Sequence, residues 1–276
     1  MSIQATEARV ATPAGVRRRL LLIWQNPTSR RFSRVAELNQ LVDDRFSFAY
    51  SPVAAEDPEF FPLDEFPDLY RVYVSDELPV FFSNRVMSAE RASYGQYLER
   101  LGLDLTSVDV PIEVLIRTGG TRATDTFHVV DHPVDAYSRF VSRFFVSGSR
   151  HISGAQERIA ALHSGSELEL SSEPTNAQNS HAVLIDAVLG GPIGWVPDWL
   201  CGEITAMTSE GYTFSTVAEK INLDAPAHLQ VLCRIEAIKV PSAPQAKSPK
   251  TVVSPARKAL SAKSTKSGSS STLRRR

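Results

Sequence analysis

Between residues 139 and 240 the apolar side chains come in short bursts separated by turn formers. Phe140, Val141, Phe144, Phe145 and Val146 make one burst, residues 182–187 a second and residues 193–196 a third. The breaks are Glu173-Pro174-Thr175-Asn176, Gly190-Gly191-Pro192 and Asp224-Ala225-Pro226. Apolar runs of this length, bounded by Gly, Pro, Asn and Asp, read as strands, because a helix of useful length needs a longer uninterrupted pattern. Residues 165–171 alternate through Leu168 and Leu170, and residues 212–223 and 228–240 read as two longer strands. Only two stretches are helical: 154–163, with Ile159, Ala160 and Leu162 on one side, and 199–209, with Pro197 at its first turn. Strands this short and this often broken predict a small, strongly curved β-barrel of about 100 residues.

Residues 17–140 are mixed, which makes the chain α+β as a whole. Leu20-Leu21-Leu22-Ile23-Trp24 follows three arginines and superficially resembles a secretory leader. The run is too short, and Gln25-Asn26-Pro27 ends it without a small-residue cleavage site, so a buried first strand is expected. Residues 45–51 alternate with period two through Phe46, Phe48 and Tyr50, as a half-buried strand does. Residues 52–68, rich in Pro and acidic residues, are expected to be an extended loop. A helical pattern in two pieces spans 77–101, with Ser88 or Ser93 capping the second. Residues 111–117 are helix or strand, Gly119-Gly120 a turn, and 125–130 a short strand.

The formal charge of −1 conceals an asymmetry. Residues 241–276 hold nine Lys/Arg and no Asp or Glu, leaving 21 basic against 31 acidic residues in the body. With four Pro, nine Ser and four bulky apolar residues, this tail cannot bury enough surface to offset chain entropy and is expected to be disordered. Residues 1–16, small and polar, carry the same expectation. No apolar run approaches the roughly 20 residues of a membrane span. Cys201 and Cys233 sit among apolar neighbours and are too few for a disulfide framework or a zinc site, so the cytoplasm, with access to the nucleoid, is the expected compartment.

Nucleotide, hydrolase and zinc-protease motifs are absent from the sequence, and neither a catalytic residue nor a cofactor is expected. His128 and His132 have helical ligand spacing, but Val129-Val130 and Pro133 favour a strand and a turn. His163 and His228 read as surface or barrel-rim residues. Gly119-Gly120-Thr121-Arg122 suits a phosphate cradle less well than a plain β-turn. Arg30, Arg31 and Arg34 form a basic cluster that either touches nucleic acid or, more simply, solvates a turn.

One set of motifs carries a family resemblance. Ser149-Arg150-His151 is followed by a helix ending at Gly165, then by Glu167-Leu168-Glu169-Leu170, Glu173-Pro174-Thr175-Asn176, His181-Ala182-Val183-Leu184-Ile185 and Ile193-Gly194-Trp195-Val196-Pro197. This order over about 100 residues resembles the HIRAN domain, a small barrel related to OB folds. The resemblance implies binding of single-stranded DNA at its 3′ end. In a helicase-fused member the contacts come from an Arg-aromatic pair, a Tyr-Asp pair and a Lys. By position the first pair falls on Arg150 and His151, the second on Gln178 and Asn179, and the Lys on Asp198, a charge reversal. Trp195 and Trp199, near the same rim, are candidate stacking surfaces, each base stacked on an aromatic being worth about 1–3 kcal/mol. The folded segment 141–240 is acidic, with six basic against eleven acidic residues, so Lys247, Lys250, Arg257 and Lys258 of the tail are expected to supply the attraction for DNA.

A looser resemblance covers the first segment. Leu22-Ile23-Trp24, Arg34-Val35-Ala36-Glu37-Leu38, Phe46–Tyr50, Pro62-Leu63 and Leu78-Pro79-Val80-Phe81-Phe82 are similar to the N-terminal subdomain of HipA-type kinases. The kinase itself has no counterpart here. The expected organisation is therefore 1–16 disordered, 17–140 a HipA-like module, 141–240 a HIRAN-like barrel and 241–276 a basic tail. The expected function is non-catalytic nucleic-acid binding that recognises single-stranded DNA ends or damaged DNA. The alternative is a protein–protein adaptor that docks a partner through residues 17–140.

Overall fold

The computed structural model describes residues 4–6, 15–134, 139–188 and 190–239. Two six-stranded antiparallel sheets organise them. The first contains β1 (Gln4–Thr6), β2 (Val16–Gln25), β3 (Phe32–Leu41), β4 (Phe46–Tyr50), β5 (Val72–Ser75) and β6 (Phe127–His132), in the order β1-β5-β4-β3-β2-β6. The second contains β7 (Phe140–Phe145), β8 (Glu167–Ser172), β9 (Val183–Ala187), β10 (Gly191–Trp195), β11 (Tyr212–Ile221) and β12 (Val231–Lys239), in the order β10-β9-β8-β11-β12-β7.

The continuous apolar run of β2 has a direct structural reason. Leu20, Leu22 and Trp24 face an aromatic core with Phe48, Phe60, Phe66 and Phe82. Leu21 and Ile23, on the opposite face, join the core of the second sheet with Phe144, Ile185 and Cys233. Successive side chains of a strand point to opposite faces, so a strand buried on both reads as unbroken apolar sequence. β6 repeats the arrangement, with Val129 in one core and Val130 in the other. Phe48 stacks on Phe66 with ring centroids 3.9 Å apart, and Trp24 meets Phe60 edge-on at 5.3 Å.

Among the described residues six α-helices fill the connections. Short helices α1 (Pro52–Glu56), α2 (Val80–Ser83) and α3 (Tyr94–Arg100) precede α4 (Val110–Thr118). Pro111 lies in the first turn of α4, and Gly119 ends the helix in the left-handed conformation, both favourable helix boundaries. α4 wedges between the sheets: Ile112, Leu115 and Ile116 enter the aromatic core, while Val114 meets Leu98, Leu101, Phe145 and Leu232. α5 (Ala155–Ala160) and α6 (Asp198–Ser209) belong to the second sheet. Because Leu21, Ile23 and Val130 share a core with the second sheet, position 140 does not separate two independent cores. Contacts group Met1–Pro241 as one compact unit.

Several expectations are corrected. The second sheet is not a closed barrel. Its edge strands approach at a single bridge, Ser147 with Trp195, rather than along a seam. Within the stretch expected to be loop, Pro52–Glu56 forms α1, with Pro52 supplying the preset backbone angle of a first helical turn. Phe32–Leu41, passed over as an element, is a full strand. Gln4–Thr6, inside the segment expected to be disordered, pairs with β5. The remaining residues of 1–14, and the tail 241–276 expected to be disordered, lie outside the described residues. No helix among the described residues is long and apolar enough to cross a membrane.

Charged groups also lie between the sheets. Arg34, expected to be a solvated turn charge, donates to the buried Glu203 of α6 at 2.6 Å and ties β3 to the second sheet. Arg117, buried on α4, bonds Glu113 at 3.2 Å. Arg18 pairs with Glu113 and lies 4.0 Å from the buried Asp131. Burial, reinforced by Glu113, pushes the Asp131 carboxyl up from 3.8 to about 7, against the opposing charges of Arg18 and Arg143. A carboxyl held above its unfolded value retains its proton in the folded state, so its contribution to stability falls as pH rises from about 4 to about 7 and is level above that. Asp131→Asn is therefore expected to raise the melting temperature more at pH 8 than at pH 5. Equal shifts at the two pH values in thermal melts would remove this account.

Candidate functional site

The single bridge between the sheet edges builds a cleft. Ser147 and Trp195 exchange two backbone hydrogen bonds, each 2.8 Å. Immediately afterwards Gly148 adopts a left-handed conformation, and a 3₁₀ turn, Ser149–His151, carries the chain outward. A side chain at Gly148 would collide with the Trp195 ring, the added Cβ lying 2.7 Å from Cε3, so glycine lets the indole lie flat against the turn. The cleft beside it has a volume of about 700 Å³.

Arg150, His151, Gln178 and Trp195 all line this cleft, together with Asp198. These sequence-predicted residues come from the 3₁₀ turn, the loop after β8, the end of β10 and the start of α6. Arg150 and His151 are exposed, and Arg150 Nε donates to His151 Nε2 at 3.0 Å. Among the described residues Arg150 pairs with no carboxylate, whereas Arg85, Arg117, Arg143 and Arg234 all do. Its guanidinium edge is thus available to a ligand.

The loop after β8 is organised by Asn176. Its Oδ1 accepts the backbone N–H groups of Gln178 at 3.0 Å and Asn179 at 3.2 Å, an Asx turn. Its Nδ2 donates to Glu173 Oε2 at 2.8 Å, and the Trp195 indole N–H donates to the same oxygen at 2.8 Å. These bonds hold the Glu173 carboxyl below its ordinary range and fix the Trp195 ring. Asn179 sits at the rim, where its Nδ2 donates to Asp198 Oδ1 at 3.2 Å.

Trp199 is a correction. It does not line the cleft. Its ring stacks parallel to His128 with centroids 6.0 Å apart, and it packs so closely on Gly119 that a Cβ there would lie 2.5 Å from Cζ2. That contact fixes α6 to the first sheet. The Gly119-Gly120 segment is correspondingly a structural turn, with Gly120 O accepting from Arg85 at 2.8 Å. His128 and His132 both lie on β6, where four residues span roughly 13 Å, too far for one metal ion. Cys201 and Cys233 are buried and unpaired, with burial pushing the Cys201 thiol up to about 12. Lys247, Lys250, Arg257 and Lys258 lie outside the described residues.

Ser149, Asn176 and His228 are among the lining residues that escaped the sequence reading. Ser149 is 2% exposed, and its hydroxyl oxygen has no partner among the described residues. Asn176 is masked in sequence by its turn role. His228, taken for a rim residue, reaches the cleft from the connection between β11 and β12, which lies 77 positions from His151. No local pattern links such distant positions.

Comparisons with known proteins add little. No family profile and no curated protein sequence matches the chain. Among solved structures, a protein from Lactobacillus plantarum aligns at 10% identity over 37% of this chain and 100% of its own, with a TM-score of 0.32. The HIRAN domain of human HLTF aligns at 15% identity over 36% of this chain and 74% of its own, with a TM-score of 0.29.

Proposed function

We propose that the cleft holds the end of a single nucleic-acid strand and that the protein acts by binding it, without catalysis. The supporting observation is the convergence of Arg150, His151, Gln178 and Trp195 on one cleft, with no carboxylate among the described residues paired to Arg150. Arg150 supplies a charged fork for one phosphate. His151 and the half-buried Trp195 ring offer flat surfaces for a base. The resemblance to HIRAN domains supplies the polarity, a 3′ end. Asp198, exposed at the start of α6, repels a terminal phosphate and accepts a hydrogen bond from a terminal hydroxyl. The basic residues of 241–276 supply long-range attraction. Four of them engaging a single strand would give log affinity a slope near −3 against log salt.

Titration of the full chain with fluorescent single strands tests this reading. The expected results are tighter binding of a 3′-hydroxyl than of a 3′-phosphate end, and a loss of about tenfold, or ~1.4 kcal/mol, for Arg150→Ala. Equal binding of both ends, abolished by salt and unchanged in Arg150→Ala, would leave only the electrostatics of the tail.

The second reading, an adaptor that docks a protein through the HipA-like residues 17–140, draws on Phe61 and Tyr70. These aromatic side chains are 77% and 83% exposed in an acid-rich segment. A partner captured by the full chain and lost in the Phe61→Ser/Tyr70→Ser double variant would support it.

A further inference from the structure

A second opening lies where β8 and β11 part. Among the described residues the two strands pair only at Leu168 with Thr216 and at Glu167 with Val217. Each stays paired on its far side: β8 with β9 as far as Ser172, and β11 with β12 back to Tyr212. Antiparallel continuation would set Leu170 opposite Phe214. Instead a groove of about 840 Å³ separates them, bordered by Ile204 and Thr208 of α6. Thr216 closes one end. It is 4% exposed, and its hydroxyl oxygen, buried in the groove lining, has no partner among the described residues.

The two faces of this groove differ in chemistry. Glu167, Glu169, Thr213 and Ser215 are exposed, while Leu168, Leu170, Phe214 and Thr216 alternate with them and are buried or half-buried. Among the described residues, the charged side chains lining the groove are Glu167 and Glu169. We propose that the groove takes an extended peptide strand of a partner protein whose basic side chains alternate with apolar ones. The main chain completes the interrupted ladder, pairing antiparallel with one flanking strand and parallel with the other. Outward side chains meet the two carboxylates, and inward ones meet Leu170 and Phe214. A polar group of the inserted strand satisfies the Thr216 hydroxyl. Phosphate-bearing strands are repelled here, so this surface is separate from the Arg150 cleft, and it stands or falls independently of that reading.

The probe is a labelled acetyl-Lys-Val-Lys-Val-Lys-Val-amide peptide titrated into the full chain by fluorescence anisotropy, with hydrogen exchange as the second measurement. Expected are saturable binding, slowed exchange confined to amides near 169–172 and 213–215, and at least a tenfold loss both for Glu169→Lys and for a peptide N-methylated at alternate residues. Glu169 is exposed, so the substitution leaves the core intact. Absence of saturable binding overturns the proposal. So does equal affinity for a Glu-Val peptide, for the N-methylated peptide or for Glu169→Lys.

Discussion

Gly194→Ala is expected to destabilise the fold by about 3 kcal/mol and to abolish the proposed strand binding at the cleft. Gly194 lies in β10, at the irregularity where its pairing with β9 shifts register. A Cβ built there would lie 2.2 Å from Val146 Cγ1 and 2.6 Å from the carbonyl oxygen of Ser147. The Val146 methyl could rotate. The carbonyl cannot, because it accepts the Trp195 N–H in the bridge that brings the two sheet edges together. Relieving the clash therefore separates β10 from the Ser147–His151 turn, and with it Trp195 from Arg150. At about 2–4 °C per kcal/mol for a chain of this size, the melting temperature falls by roughly 6–12 °C. Gly202→Ala is the control. Gly202 sits on α6 with nothing within 4 Å of its added Cβ, and there alanine is expected to stabilise by up to about 1 kcal/mol. Thermal unfolding of the two variants side by side decides the matter. A Gly194→Ala protein that melts with the wild type shows that the bridge does not hold the sheet.

Asp125→Ala is expected to cost about 3 kcal/mol, because it strands a buried cation. The Arg85 side chain is 1% exposed, and its guanidinium makes a forked contact with Asp125 at 2.7 and 3.2 Å, over the Phe81 ring at 4.1 Å. Burial lowers the Arg85 pKa, and Asp125 is the group that opposes this. Removing one partner of a buried pair typically costs 3–5 kcal/mol. The lower end applies here, since a quarter of the Asp125 side chain meets water. Arg85→Met together with Asp125→Ala is expected to recover much of the loss, because an apolar pair leaves no uncompensated charge. Urea denaturation of the single and double variants measures both. The Gly120 carbonyl held by Arg85 belongs to the turn that seats Trp199, so the single variant is also expected to loosen α6 and the Asp198 rim.

The strands of the second sheet were legible because each is a short apolar or alternating run next to a turn former. β9 and β10 are cases in point, with Gly190 between them and Gly191 at the start of β10. β3 was not legible. Its buried positions include Ala36 and Gln40, and Arg34 read as a turn charge until the second sheet supplied Glu203 as a partner. α1 was hidden for the opposite reason: five residues starting at a proline carry too little periodicity to distinguish a helix from a loop. At the cleft, Arg150 and His151 could be singled out from a local motif. Trp195 and Trp199 looked equivalent in sequence, being four residues apart. Only the helix that starts at Asp198 separates them, turning one ring toward the cleft and the other onto His128.

Sequence alone determined the α+β character, a buried strand at residues 20–24 and the acidic body with its basic tail. These follow from local periodicity and composition, which act over a few residues. Tertiary structure decided that the second sheet stays open except at Ser147 and Trp195, that both sheets share a core, and which distant side chains meet at the cleft. Sheet closure depends on register and on a close backbone approach at Gly194. The meeting of Arg150, Gln178 and His228 depends on how three separate connections pack. Neither is encoded in any one stretch of chain, because each is a property of surfaces that exist only after the strands have paired.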